Sequence, residues 1–298
     1  IRRPSRSTLF PYTTLFRSSL TAALLYGVMN FLYKVGAERR YVNSALVLTA
    51  AATVALAAAT TLAVAGTGLG RLVPALPFAL ANGTLFAFGA LSTIRALELA
   101  PATVVFPVNK SNVLFVILIG VLAFQETPTG SQWLGIGASL TVLVLLSSEQ
   151  LRRAGGPDLR GIGFALLAAL CTSLSMTTGK LAATRVDRTS YILLSYAIVV
   201  LVSLITFLRR TPSGQRRSAF LRPGVLLVGV SIGLLNYFGY RLILAAFAAG
   251  SLSLIQPVLA LSILIPIALS ILVYRERLTR LRVLCVGLTL ISILLIQG

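Results

Sequence analysis

The chain of 298 residues is 57% hydrophobic and 11% charged, with 26 basic against 7 acidic residues, a net charge of +19 and no histidine. A soluble domain carries about 25% charged residues, so this composition excludes one and points to an all-α integral membrane protein. The absence of histidine removes the commonest general base and metal ligand. Cys171 and Cys285 lie far apart in apolar runs without a CxxC, so no metal, cofactor or catalytic residue is expected.

In chain order, residues 1–18 (IRRPSRSTLFPYTTLFRS) carry four arginines and no acid, and their apolar residues form neither a helical stripe nor a signal-peptide core. All but Ser5 match one reading frame of a short-read sequencing adapter. The segment is therefore expected to be non-native and to pack against nothing, with the native chain entering near Ser19 after the loss of a few residues. Beyond it, charges, prolines and turn residues delimit ten apolar runs, each near the ~20 residues that a helix needs to cross a bilayer. They are 19–37, 44–66, 75–97, 102–124, 132–147, 161–182, 190–208, 225–247, 252–274 and 281–297. The two longest connections, SSEQLRRAGGPDLR and RRTPSGQRRSAFLRPG, read as loops.

The chain matches itself. At an offset of 150, Gly83 falls on Gly233, Gly89 on Gly239, Pro107 on Pro257, Glu126 on Glu276 and Gly137 on Gly287. At an offset of 146, Lys34 falls on Lys180 and Arg39 on Arg185. One repeat thus holds five runs. Five is odd, so the second copy enters the membrane from the opposite side, the inverted-repeat plan of secondary transporters with a site near the midplane. The expected units are 1–18 (non-native), 19–150 (first repeat) and 161–298 (second repeat).

A charge in the hydrocarbon costs about 2.5–3.5 kcal/mol on insertion scales, so polar positions inside the runs are the site candidates. In VVFPVNKSNVLF, Pro107 is expected to kink the helix, and Asn109, Lys110 and Asn112 follow it. Lys110 is read as a cation for a substrate carboxylate or phosphate, with an asparagine as hydrogen-bonding partner; a lysine held by helix carbonyls is the open alternative. The mirror position offers neutral Gln256 beside Pro257. In LLNYFGYR, Asn236 and Tyr240 share a helix face, and Tyr237 and Arg241 share the next. Lys110, Asn109, Asn112, Asn236, Tyr240, Arg241 and Gln256 are the predicted substrate-binding residues, with Pro107 and Pro257 as flexing points.

Asn30 and Asn82 read as interhelical glue, Lys34 and Lys180 as snorkelling anchors, and Glu126 and Glu276 as turn caps. Gly83, Gly89, Gly135, Gly137, Gly233 and Gly239 read as close-packing positions. Glu98 stands three residues after Arg95, where an ion pair accounts for it, and no carboxylate lies mid-run to relay protons.

The blocks ALELAPATVVFPVNKSNVLFVILIGVLAFQETPTGSQWLGIGASLTVLVLLS and AAFAAGSLSLIQPVLALSILIPIALSILVYRERLTRLRVLCVGLTLISILLI resemble the two EamA-type repeats of the drug/metabolite transporter superfamily. The resemblance covers about residues 20–297; its first repeat departs in the turn, QETPTG against RERLTR in the second. It implies ten helices in two inverted halves around a central cavity, and transport of amino acids, sugars, nucleotides or other small metabolites. The expected protein is a non-enzymatic secondary transporter in a prokaryotic cytoplasmic (inner) membrane. It would move a small anionic or zwitterionic metabolite by alternating access, in the export direction. Its partners are the substrate and the bilayer; no nucleic acid is expected, and a homodimer is left open. A membrane scaffold or sensor and a lipid-modifying enzyme are the alternatives. The enzyme would need converging carboxylates or a nucleophile with its base, and neither motif occurs. With a cytoplasmic N-terminus the loops carry 3 arginines on the cytoplasmic side against 14 opposite. The positive-inside rule therefore puts both termini outside, whereas the resemblance implies termini inside.

Overall fold

The computed structural model describes residues 11–38, 42–65, 69–100, 102–152, 159–274 and 280–297. Helices cover all ten apolar runs. They are α1 (Pro11–Glu38), α2 (Val42–Ala65), α3 (Leu72–Leu99), α4 (Ala102–Asn109), α5 (Asn112–Ala123), α6 (Gly130–Arg152), α7 (Leu159–Arg185), α8 (Arg188–Arg210), α9 (Ser213–Leu221), α10 (Pro223–Ala249), α11 (Leu252–Ala260), α12 (Leu264–Tyr274) and α13 (Arg280–Gln297). By length and composition, α3, α7, α8 and α10 are each apolar enough to cross a bilayer, and several shorter apolar helices accompany them. This is an all-helical, multi-pass membrane architecture.

The structure departs from the sequence reading in three places. The fourth and ninth runs are interrupted: α4 and α5 are separated at Lys110–Ser111, and α11 and α12 by a 3-10 turn over Leu261–Ile263. Both interruptions fall about one turn after Pro107 and Pro257, which themselves lie within helices. The second departure is α9, inside a stretch read as loop. The Arg216 guanidinium donates to the carbonyl oxygens of Leu208 and Thr211 at the end of α8, and the Phe220 ring lies 4.6 Å from Phe207, which closes the turn. Third, α1 begins at Pro11, within the segment read as non-native. Arg17 is exposed; residues 1–10 and the side chains of residues 11–16, on which the packing expectation falls, lie outside the described residues.

Packing follows a plan that survives exchange of the two halves. α3 lies on α7 as α10 lies on α1, and α3 meets α8 as α10 meets α2, while α2·α8 and α6·α13 map onto themselves. The contacts repeat residue by residue. A Cβ on Gly83 would lie 2.7 Å from the Ser195 carbonyl and 2.9 Å from Ile198; one on Gly233 would lie 2.8 Å from the Thr49 carbonyl and 2.6 Å from Ala52. Ser195 and Ile198 are Thr49 and Ala52 advanced by 146. Likewise Gly89 faces Cys171 and Thr172 where Gly239 faces Leu25 and Tyr26. Helix association in lipid depends on such close approach, because lipid tails give helices no hydrophobic reason to meet. The buried core accordingly includes Ala22, Ala50, Ala57, Ala75, Ala79 and Ala182. Gly137 is the exception: it faces open space, because Gly135 two residues earlier holds the face against Ser292 and Ile296 of α13.

Candidate functional site

The fourth run loses its α-helical pattern at a single place. Ser111 N–H bonds the Val108 carbonyl (3.0 Å), Val113 N–H the Lys110 carbonyl (3.2 Å) and Leu114 N–H the Ser111 carbonyl (3.0 Å), so the backbone tightens to i→i+3 bonds. Lys110 stands in this turn, half-buried, and its ammonium finds no hydrogen-bond or ion-pair partner among the described residues. Asn109 donates through Nδ2 to Thr93 Oγ1 of α3 at 2.9 Å, while its Oδ1 is buried with no partner among the described residues. Ser111 Oγ is orphaned in the same way. Leaving a buried polar atom unpaired costs about 1–3 kcal/mol, and two such atoms flank the Lys110 position; among the described residues Ser190, Ser195, Ser253 and Gln256 hold others. Asn112 contributes its carbonyl, which accepts from Ser173 Oγ of α7 at 3.0 Å.

Asn236 and Tyr240 are brought together, but in a different group. Asn236 Nδ2 donates to Thr53 Oγ1 (3.2 Å) and its Oδ1 accepts from Tyr196 OH (3.1 Å). Asn82 Oδ1 accepts from Ser175 Oγ (2.5 Å) and Tyr240 OH (3.4 Å), and Tyr191 OH lies 3.3 Å from Tyr240 OH. The Tyr196 and Tyr240 rings meet edge-on at 6.0 Å. These bonds tie α2, α3, α7, α8 and α10 into one buried polar core. Asn82 serves as the glue it was read to be; the sequence reading passed over Thr53, Ser175, Tyr191 and Tyr196. Little but their polarity inside apolar runs could have signalled them.

Arg241 stands apart from both groups. It is exposed, donates to Tyr237 OH at 3.1 Å and lies 5.7 Å over that ring, while Tyr237 OH bonds Thr60 Oγ1 at 2.5 Å. Gln256 is 3% exposed in α11 and its Nε2 has no partner among the described residues. A cleft between α3 and α8, lined by Leu91, Ile94, Val202, Ser203 and Thr206 among others, contains none of the predicted site residues.

One expected anchor and one expected turn cap behave differently from expectation. Lys180 does not snorkel: its ammonium donates to the carbonyl oxygens of Phe247 (2.7 Å) and Gly250 at the end of α10. Glu126 caps a distant helix rather than its own turn, its carboxylate accepting from Leu252 N–H (2.6 Å) and Ser253 N–H (2.8 Å) at the start of α11. Glu98 is paired as expected with Arg95 (2.7 Å) and additionally with Arg210. Lys34 and Glu276 fall outside the described side chains.

Two halves with matched packing around interrupted helices define a repeat-built, multi-pass membrane protein of the transporter class. The model of the EamA-like transporter family matches residues 18–148 and again 159–298, so the chain belongs to that family. A 65-residue stretch is 31% identical to the probable 4-amino-4-deoxy-L-arabinose-phosphoundecaprenol flippase subunit ArnE of Proteus mirabilis (strain HI4320). That match spans 22% of this chain and 58% of the relative's length. One solved crystal structure superposes with a TM-score of 0.78 over 95% of this chain and 96% of the other, at 18% identity, which shows a shared fold.

Proposed function

We propose that this chain is a secondary transporter of the prokaryotic inner membrane. Its ten crossings, arranged as two inverted five-helix repeats, carry a small anionic or zwitterionic metabolite by alternating access, in the export direction. The observation that supports this most is the interrupted fourth helix. There a half-buried ammonium without a described partner stands beside two orphaned oxygens, Asn109 Oδ1 and Ser111 Oγ. A carboxylate or phosphate would satisfy the ammonium and the Ser111 hydroxyl together, and charge-assisted hydrogen bonds of this kind are about twice as strong as neutral ones. Asn109 Oδ1 is an acceptor and suits the amine of a zwitterion. The inverted arrangement draws support from the residue-by-residue recurrence of helix contacts at offsets of 146 and 150.

Uptake or efflux by the purified protein in liposomes, measured across a panel of amino acids and phosphorylated metabolites, tests the reading. The active substrate should carry an anionic group, and Lys110→Ala should abolish its transport while the protein stays folded. Full transport by that variant would sink the assignment.

A second reading, movement of a lipid-linked anion, is favoured by one feature. Lys110 lies just before α5, whose Leu114, Leu118 and Leu122 are 47%, 54% and 75% exposed along its outer face. A headgroup could therefore reach Lys110 from the bilayer, in keeping with the flippase named for the Proteus mirabilis relative. Transport of a lipid-linked phosphate but of no water-soluble one decides for this reading.

A further inference from the structure

The junction between α10 and α11, Gly250–Ser251, is covered from both sides by groups belonging to other helices. Lys180 of α7 sits on the carbonyl end of α10, and Glu126, which follows α5, sits on the N–H end of α11. Each charge has the sign that the adjacent helix end favours. The local chain supplies no substitute, because Ser251 at the N-cap of α11 makes no side-chain capping bond.

The approach of Glu126 is built with some strain. The chain reverses after α5 through Gln125 in the left-handed region at φ 52°, with Glu126 N–H bonded to the Gly120 carbonyl. A Cβ on Gly120 would lie 2.7 Å from Glu126 Oε2 and 3.2 Å from Ser253 N, so only glycine admits the carboxylate there. A non-glycine residue held at positive φ marks a conformation that its surroundings enforce. Every described residue of α11 is buried, and the helix ends in the 3-10 turn Leu261–Ile263. It is thus a short buried rod, pinned by charge at one end and hinged at the other.

We propose that Glu126 latches the first repeat onto α11 of the second, with Lys180 of α7 pinning the adjoining end of α10, and that release of this polar latch opens this end of the protein during transport. The gating role rests on the transporter reading, but the test needs no substrate, so its failure is separable from that of the Lys110 assay. Ser253→Cys, in the full chain with Cys171→Ala and Cys285→Ala, reports at a fully buried position of α11; Ser195→Cys, equally buried on α8, is the control. Both are reacted in nanodiscs with a water-soluble maleimide. Glu126→Gln and Lys180→Met should each raise the rate at position 253 by about tenfold or more and leave position 195 unchanged, as expected for local opening. The double variant should add little beyond either single one, because both act on one latch. Gly120→Ala evicts the carboxylate without altering a charge and should reproduce the effect, which covers the case of a charge variant that does not fold. An unchanged rate at 253, or an equal rise at 195, overturns the proposal.

Discussion

At the first interrupted helix the chain reads Asn109-Lys110-Ser111-Asn112; at the second, 150 positions on, it reads Leu259-Ala260-Leu261-Ser262. The backbone departs from α-geometry at both places, one turn beyond a repeated proline. Yet one break carries a lysine and two buried oxygens with no partner among the described residues, while the other packs Ala260 and Leu261 into apolar clusters. The difference separates two kinds of constraint. Packing at the helix crossings is met twice, once per repeat, because the halves face each other. A charge in the hydrocarbon is costly and is tolerated only where something uses it. Symmetry therefore belongs to the scaffold and, under the proposed function, asymmetry to the chemistry.

The largest effect expected from breaking this contrast is in transport. Lys110→Ala should reduce the liposome rate by more than about 100-fold, equivalent to about 2.7 kcal/mol. Adding Ala260→Lys should not restore it; restoration would mean the two interruptions are interchangeable and the asymmetry carries no function. Next comes the scaffold: Gly83→Leu and Gly233→Leu should each lower stability by about 1–3 kcal/mol through overpacking, seen as matching drops in melting temperature. A large drop at one position alone would break the equivalence of the halves.

A smaller effect separates site from glue. Ser111→Ala should slow transport by about tenfold, or about 1.4 kcal/mol, with no loss of melting temperature, because the hydroxyl it removes is unpaired. Tyr196→Phe should do the reverse, costing about 0.6–1.7 kcal/mol of stability as Asn236 Oδ1 loses its donor, with transport unchanged. Smallest of all, Gly137→Ala should alter neither, since its Cβ meets open space.

Much of this was legible before any coordinates. Helix positions followed from apolar length, and the repeat from Gly83, Gly89, Pro107 and Glu126 recurring at one offset. Lys110 stood out because a charge amid apolar residues is conspicuous. The grouping was not legible. Asn236 and Tyr240 share a face as expected, but that face turns toward Thr53, Tyr196 and Asn82, while Arg241 turns outward over Tyr237. Lys180 looked like an anchor because its place near a helix end fits snorkelling, and only the packing of α7 against α10 shows the carbonyls it meets.

The sequence by itself thus determined the membrane class, the helix spans, the doubled plan and the one conspicuous charge. These are properties of single segments or of a segment compared with its copy, governed by local hydrophobicity and spacing. Tertiary structure alone decided that the halves interleave rather than stand as separate bundles, with α1, α2, α3, α7, α8 and α10 finding their main partners in the opposite half. It also decided which polar atoms are satisfied, and that Glu126 closes a helix 126 positions away. Those outcomes depend on which helix faces meet, and in a bilayer that is set by close approach and polar satisfaction between segments, which no segment carries alone.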